Sequence, residues 1–214
     1  MRKLVIFDCD GVLIDSEPIA NRVFRDLLES AGLKMTLQEV MGTFVGSTKA
    51  GCIERAGQML GHPLPATFGD EWDRVLFAAL RTEVKPVEGI PQVLASMTVP
   101  YCVASNGNPD RIQLALEAAG LWPRFEGRMF TAADVARPKP APDLFLHAAK
   151  RMGAEPRDCA VIEDTPTGVK AAVAAGMAVF GYVGAPHADA AAMRSLGAVT
   201  FSSMRELPAL LERA

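Results

Sequence analysis

LVIFDCDGV, residues 4–12, runs from four uninterrupted apolar residues straight into two aspartates and a glycine. An apolar run without polar alternation marks a strand covered on both faces, as in a parallel sheet. Carboxylates at the end of such a strand repel one another unless something positive sits among them. Asp15 and Glu17 follow shortly after, so the stretch Ile6 to Glu17 holds four acids.

Runs of the same kind recur at 101–104, 129–130, 159–162 and 178–182. Helical stretches lie between most of them, at 109–119, 142–152 and 166–175. Each begins with proline in its first turn and stops at glycine (Gly120, Gly153, Gly176), the expected asymmetry of helix ends. This alternation predicts an α/β fold with a doubly wound, mainly parallel sheet. The segment 16–85 breaks the rhythm, offering helical patterns at 18–31, 50–60 and 70–82 and no convincing strand. It reads as an all-helical cap domain inserted into a core made of 1–15 and 86–214.

The composition permits such a core: of 214 residues, 50% are hydrophobic and 22% charged. A formal net charge of −3 carries no clustered basic excess, so no nucleic-acid or membrane-surface partner is expected. The charge-free stretch 171–186 is too short for a membrane span and is broken by three glycines. The start MRKLVIFD reads as a strand, not a signal peptide. The four cysteines show no CxxC spacing, which favours buried, reduced thiols and a cytoplasmic setting. A monomer or weak homo-oligomer is expected.

Ligands in open α/β sheets bind outside the carboxyl ends of the strands. Asp8 and Asp10 follow the first strand, Ser105-Asn106-Gly107 the second, and Glu163-Asp164 the strand at 159–162. Lys139 lies in the proline-rich loop ARPKPAPD. Close carboxylates suit Mg²⁺, which prefers oxygen ligands and takes few protein carboxylates. Asp8, Asp164 and a backbone carbonyl form a candidate half-shell, with Glu163 as an outer partner. Ser105 and Asn106, in a turn before the helix start at Asn108-Pro109, suit a phosphate, as does the point charge of Lys139. A carboxylate can attack phosphorus, and a second one can shuttle the proton.

These motifs, in this order, resemble the haloacid dehalogenase-like phosphohydrolases, in the branch with a helical cap after the first strand. DxDGV at residues 8–12, Ser105-Asn106-Gly107, Lys139 in RPKPAPD and Glu163-Asp164 in VIEDTPTG carry the resemblance, which covers essentially the whole chain. It implies Asp8 as nucleophile and Asp10 as general acid/base. It further implies Ser105 and Lys139 as phosphate binders, and Mg²⁺ on Asp8, the Asp10 carbonyl and Asp164. The implied activity is phosphatase action on a small phosphorylated metabolite such as a sugar or sugar-acid phosphate. Relatives of the β-phosphoglucomutase type carry a histidine where this chain has Ala20, which favours hydrolysis over the mutase alternative. A metal-independent dehalogenase fits poorly with Asp10 and the Glu163-Asp164 pair. A phospho-accepting receiver, the alternative from another class, places its acidic pair before the phosphorylated aspartate.

In the cap, the loop 44–49 is expected to select substrate. Gly46 would make a tight turn, and Lys49 either meets a distal anion or is a solvated helix-start residue. Arg22, Asn21 and Arg74 are alternatives to Lys49. Asp15 is read as a turn or hinge residue and Glu17 as first-turn structure. Asp15-Ser16 and Lys85-Pro86 are the candidate hinges. His62, His147 and His187 show no metal-ligand spacing.

Overall fold

A computed structural model describes residues 2–44, 47–185 and 188–213. The predicted tight turn at Gly46 falls outside these, as does His187. The chain divides into two compact units, Met1–Asp15 with Lys85–Ala214, and Ser16–Val84.

The first unit is built on six parallel strands: β1 (Leu4–Phe7), β2 (Tyr101–Ser105), β3 (Met129–Thr131), β4 (Cys159–Glu163), β5 (Ala178–Tyr182) and β6 (Val199–Phe201). Their order is β3-β2-β1-β4-β5-β6. β1 therefore lies centrally, with Val5–Phe7 facing Tyr101–Val103 on one side and Leu4–Phe7 facing Cys159–Ile162 on the other. Every residue of β1, β2 and β4 is buried, as their unbroken apolar runs require. The sheet is thus the predicted doubly wound α/β sheet, with one strand more than the sequence reading located. That strand, β6, is a three-residue edge whose Val199 is 52% exposed, so it lacks a continuous apolar run.

The second unit contains α1 (Glu17–Ser30), α2 (Leu37–Phe44), α3 (Lys49–Leu60) and α4 (Phe68–Glu83). α1 buries Ile19, Val23, Phe24 and Leu28 on one stripe. Phe24 stacks on Trp72 with centroids 4.0 Å apart and meets Phe44 edge-on at 5.1 Å. With Leu28, Val40, Cys52, Ala56, Leu64 and Phe68 these form the unit's own core, each large side chain contributing roughly 1.5–3 kcal/mol of burial. The sequence reading did not locate α2, yet Thr36 and Glu39 cap it reciprocally. The Thr36 amide donates to Glu39 Oε2 at 2.7 Å and the Glu39 amide to Thr36 Oγ1 at 3.2 Å.

In the first unit, α5 (Ile90–Ser96), α6 (Pro109–Ala118), α7 (Asp143–Arg151), α8 (Pro166–Ala174), α9 (Ala190–Ser195) and α10 (Leu207–Arg213) succeed one another along the chain. Two of these helices start beside the polar strand ends. Asn108 caps α6 by accepting from the amides of Asp110 and Arg111, and Thr165 caps α8 by accepting from Gly168. Where the chain leaves β1, Gly11 turns at φ 75°, and Leu13 and Ile14 both donate back to the Cys9 carbonyl. The two crossings of the inserted segment are tied together within this unit. The Asp15 amide donates to the Lys85 carbonyl at 2.9 Å and Val87 to Leu13 at 3.0 Å. Among the described residues no helix is long and apolar enough to cross a membrane. All four cysteines are free and buried.

Candidate active site

The carboxyl ends of β1, β2 and β4, three neighbours at the middle of the sheet, deliver polar side chains into an otherwise apolar interior. Asp8 is 8% exposed, Ser105 3%, Lys139 7%, Glu163 1% and Asp164 3%. Groups of this kind are buried only when paired.

Lys139 does the pairing. Its ammonium donates to Asp8 Oδ1 at 2.6 Å, to the Ala104 carbonyl at 2.8 Å and to Glu163 Oε1 at 2.7 Å. All three N–H groups are used, one on each of the three strands' ends. Phe145 also presents its ring face to the ammonium, its centroid 4.6 Å from Nζ. Burial works against the lysine's charge, but Asp8 and Glu163 outweigh it and hold the ammonium above its ordinary range. Burial also pushes the Asp8 carboxyl well above the usual carboxylate range; Lys139 opposes the shift, and Glu163 and Asp164 add to it.

Glu163 is fully engaged. Its other oxygen, Oε2, accepts from the Asp164 and Thr165 amides, both at 3.1 Å, and from Thr165 Oγ1 at 2.9 Å. A Cβ on Gly168 would overlap this carboxylate, so the first turn of α8 has room for Glu163 only because residue 168 is glycine. Likewise a Cβ on Gly11 would run into the Asp164 carboxylate, which brings the β1 loop backbone and Asp164 into close approach.

Asn106 brackets the lysine from the β2 loop. Its side-chain amide donates to the Lys139 carbonyl at 2.9 Å and accepts from the Lys139 amide at 3.0 Å, so the side chain of this residue, whose turn is read as a phosphate site, fixes the lysine's backbone. Ser105 Oγ accepts from the Gly107 amide at 3.2 Å. Asp10 lies beside this group. Arg111, in the first turn of α6, grips it with both guanidinium nitrogens, Nη1 reaching Oδ1 at 2.9 Å and Nη2 bonding Oδ2. The charge of Asp10 raises the guanidinium further above its ordinary range, against the effect of burial. Arg111 escaped the sequence reading. Its one signal is a cation in a helix's first turn, where the dipole disfavours it.

Lys49 belongs to the second unit, at the start of α3, where its ammonium lies 2.6 Å from Asp73 and the side chain is 42% exposed. Arg22, Asn21 and Arg74 are also paired within that unit, with Glu83, Glu17 and Glu71. His147 packs edge-on against Phe130 and His62 lies in an exposed turn.

The donor set fits a small divalent cation. Asp8, Glu163 and Asp164 are three buried carboxylates against one buried ammonium, an excess of negative charge that a cation would offset. Among the described residues no three His, Cys, Asp or Glu side chains are grouped so as to hold a metal by themselves. Two carboxylates and a backbone carbonyl suffice for Mg²⁺, which keeps several waters.

A parallel sheet whose central strands end in an aspartate, a serine and an acidic pair, with a buried lysine from the loop between β3 and α7 set among them, defines a doubly wound α/β core with a polar site at its strand ends. The profile described as haloacid dehalogenase-like hydrolase matches residues 2–176, and the chain belongs to that family. It is 31% identical over 207 residues to the 6-phosphogluconate phosphatase of Escherichia coli (strain K12), covering 96% of this chain and 93% of the relative. A haloacid dehalogenase-like protein of unknown function from Agrobacterium tumefaciens (str. C58) superposes with a TM-score of 0.89 at 36% identity, covering 100% and 99% of the two chains. A HAD family hydrolase from Deinococcus radiodurans R1, crystallised with phosphate and sodium, gives a TM-score of 0.86 at 35% identity over 99% and 96%.

Proposed function

We propose that this HAD-like phosphatase uses Asp8 as its nucleophile and Asp10 as its general acid and base, on a phosphomonoester of a small sugar or sugar acid. One observation carries the assignment: the three-way tie of Lys139, which joins Asp8 to Glu163 and to the β2 carbonyl. That tie fixes the rotation of the Asp8 carboxylate at the end of a rigid central strand and sets a permanent positive charge beside it. An incoming phosphate is attracted by that charge and meets the Ser105 hydroxyl and the turn that starts α6.

One oxygen of Asp8 attacks phosphorus, and the bond from phosphorus to the ester oxygen breaks. Asp10 gives its proton to that oxygen as the alcohol leaves, and an aspartyl phosphate remains on Asp8. Asp10 then takes a proton from water as the water attacks phosphorus, which frees Asp8 and inorganic phosphate. HAD phosphatases generally use Mg²⁺. In this chain Asp8, Asp164 and the Asp10 carbonyl would hold it, where it would offset the carboxylates' charge and polarise the phosphoryl oxygens.

The 6-phosphogluconate phosphatase relative supports a sugar-acid or sugar phosphate as substrate. Ala20 in α1, in place of the mutase histidine, supports hydrolysis over phosphoryl return. The helical unit serves as the cap, with Lys49 as a contact for the substrate's distal end. The four free, buried thiols suit a reducing, cytoplasmic setting.

Phosphate release from phosphorylated sugars, sugar acids and nucleotides tests this, with Mg²⁺ and with EDTA, for native protein and Asp8→Asn. Turnover that requires both the metal and Asp8 is expected. Release that survives Asp8→Asn would refute the assignment.

A further inference from the structure

The Asp10–Arg111 pair is not explained by the catalytic roles of Asp8, Asp10 and Lys139. A general acid must reach the leaving oxygen, yet both Asp10 oxygens are engaged by one guanidinium. A bidentate fork of this kind is among the strongest side-chain contacts, so a substrate reaches Asp10 only if something else satisfies Arg111.

The local sequence is arranged for this contact. Arg111 stands in the first turn of α6, where the helix dipole disfavours a cation, so local helix stability does not account for it. A Cβ on Gly107 would meet Arg111 Nη2 and the Ile112 side chain, so the guanidinium passes over the β2 loop through space that only glycine leaves. The pair is also within reach of solvent: its side chains are 19% and 22% exposed, against 4% and 12% for Lys139 and Asp8. Arg111 is thus more accessible than Lys139, and it lies against the loop that carries Ser105.

We infer that Arg111 is a specificity-determining residue that binds a carboxylate on the substrate's leaving group and, in taking it, releases Asp10 to reach the phosphate ester. The inference rests on the proposed phosphatase activity. The exchange is of like for like: one carboxylate replaces another on the same planar fork, so the guanidinium stays paired throughout. An ester whose alcohol carries only hydroxyls cannot make the exchange, so Asp10 stays held and turnover is slower. Arg111 therefore discriminates through the position of the general acid as well as through direct contact.

The test compares 6-phosphogluconate with glucitol 6-phosphate, which differ only in a C1 carboxylate against a C1 hydroxymethyl. The assay uses native protein, Arg111→Gln, Arg111→Lys and Gly107→Ala, all with Mg²⁺. Native protein should favour the acid in kcat/KM by roughly 10- to 100-fold, the scale of one charged hydrogen-bonded contact. Arg111→Gln should bring the ratio to within about twofold of unity, with Arg111→Lys between the two. Gly107→Ala, which displaces the guanidinium without removing it, should move the ratio the same way. The ratio is taken within one preparation, so loss of folded enzyme cancels. A native ratio near unity, or a ratio unchanged in Arg111→Gln, would overturn the role of Arg111 while leaving the phosphatase intact. No release from either ester or from the wider panel would overturn the phosphatase reading, and this inference with it.

Discussion

Replacing Glu163 by glutamine changes one oxygen into an amide nitrogen and leaves the shape intact, which isolates what its charge does. Glu163 Oε1 accepts from the Lys139 ammonium, and Oε2 accepts from two backbone amides and the Thr165 hydroxyl. Both ends therefore face donors, and a glutamine has only one accepting end. If its oxygen faces Lys139, the amides of Asp164 and Thr165 lose their acceptor. If it faces the amides, its NH₂ opposes the ammonium. The second arrangement is the less costly. It sacrifices one charged hydrogen bond inside a buried pair and adds a donor–donor clash, about 2–4 kcal/mol in all. For a chain of this size that corresponds to a melting temperature lower by roughly 4–16 °C. Calorimetry of native protein and Glu163→Gln in EDTA measures it without any contribution from catalysis or metal. A shift smaller than about 2 °C would mean that the tie of Lys139 to β4 stabilises nothing, and the account of the buried triad would fail.

Three further outcomes are expected from the same geometry. Gly168→Ala places a Cβ on the Glu163 carboxylate and should destabilise the protein by about 1–3 kcal/mol, whereas an unchanged melting temperature would show that α8 shifts freely. Mg²⁺ at a hundred times its dissociation constant should stabilise by about 2.7 kcal/mol, or roughly 5–11 °C, and Asp164→Asn should remove most of that rise. Burial pushes the Cys159 thiol up to about 11 from its ordinary value of 9.0. The folded state therefore holds this proton more tightly than the unfolded chain does. The stability it contributes is complete below pH 9 and is lost as the pH rises towards 11, a slope that Cys159→Ala should flatten in a pH series of urea melts.

The parts of this molecule that were legible in its sequence are those where one local signal suffices. β1, β2, β4 and β5 lie at unbroken apolar runs, and α6, α7 and α8 lie between a proline and a glycine. β6 was not legible, because a three-residue edge strand with a half-exposed valine and a threonine has no periodicity to read. α2 carried a readable signal in Thr36 and Glu39, but its eight residues are too short to show a helical stripe. At the site, residue types at strand ends pointed to one crevice, while side-chain destinations did not follow from them. Asn106 belongs to a turn that suits phosphate, yet its amide spends both ends on the backbone of a residue 33 positions away. Arg111 and Asp10 are 101 positions apart, and no spacing rule connects them. Such pairings arise from the crossovers that bring β2 beside β1 and β3 beside β2, which are properties of the sheet and not of any short stretch.

The joint between Asp15 and Lys85 has an evolutionary meaning. Leu13 to Val87 is one short antiparallel contact, closed by backbone hydrogen bonds and an Ile14–Pro86 bridge. Whatever chain lies between these two strands begins and ends at a point the sheet already holds shut. Its length and composition then enter the stability of the sheet only weakly, since loop-closure cost grows slowly with length. A gene for such a protein can accept a different insert at this position, long, short or shuffled from a relative, without rebuilding the strands around it. Grafting residues 16–84 of one homologue onto the sheet of another should accordingly leave the strands and their hydrogen-bonded joint in place.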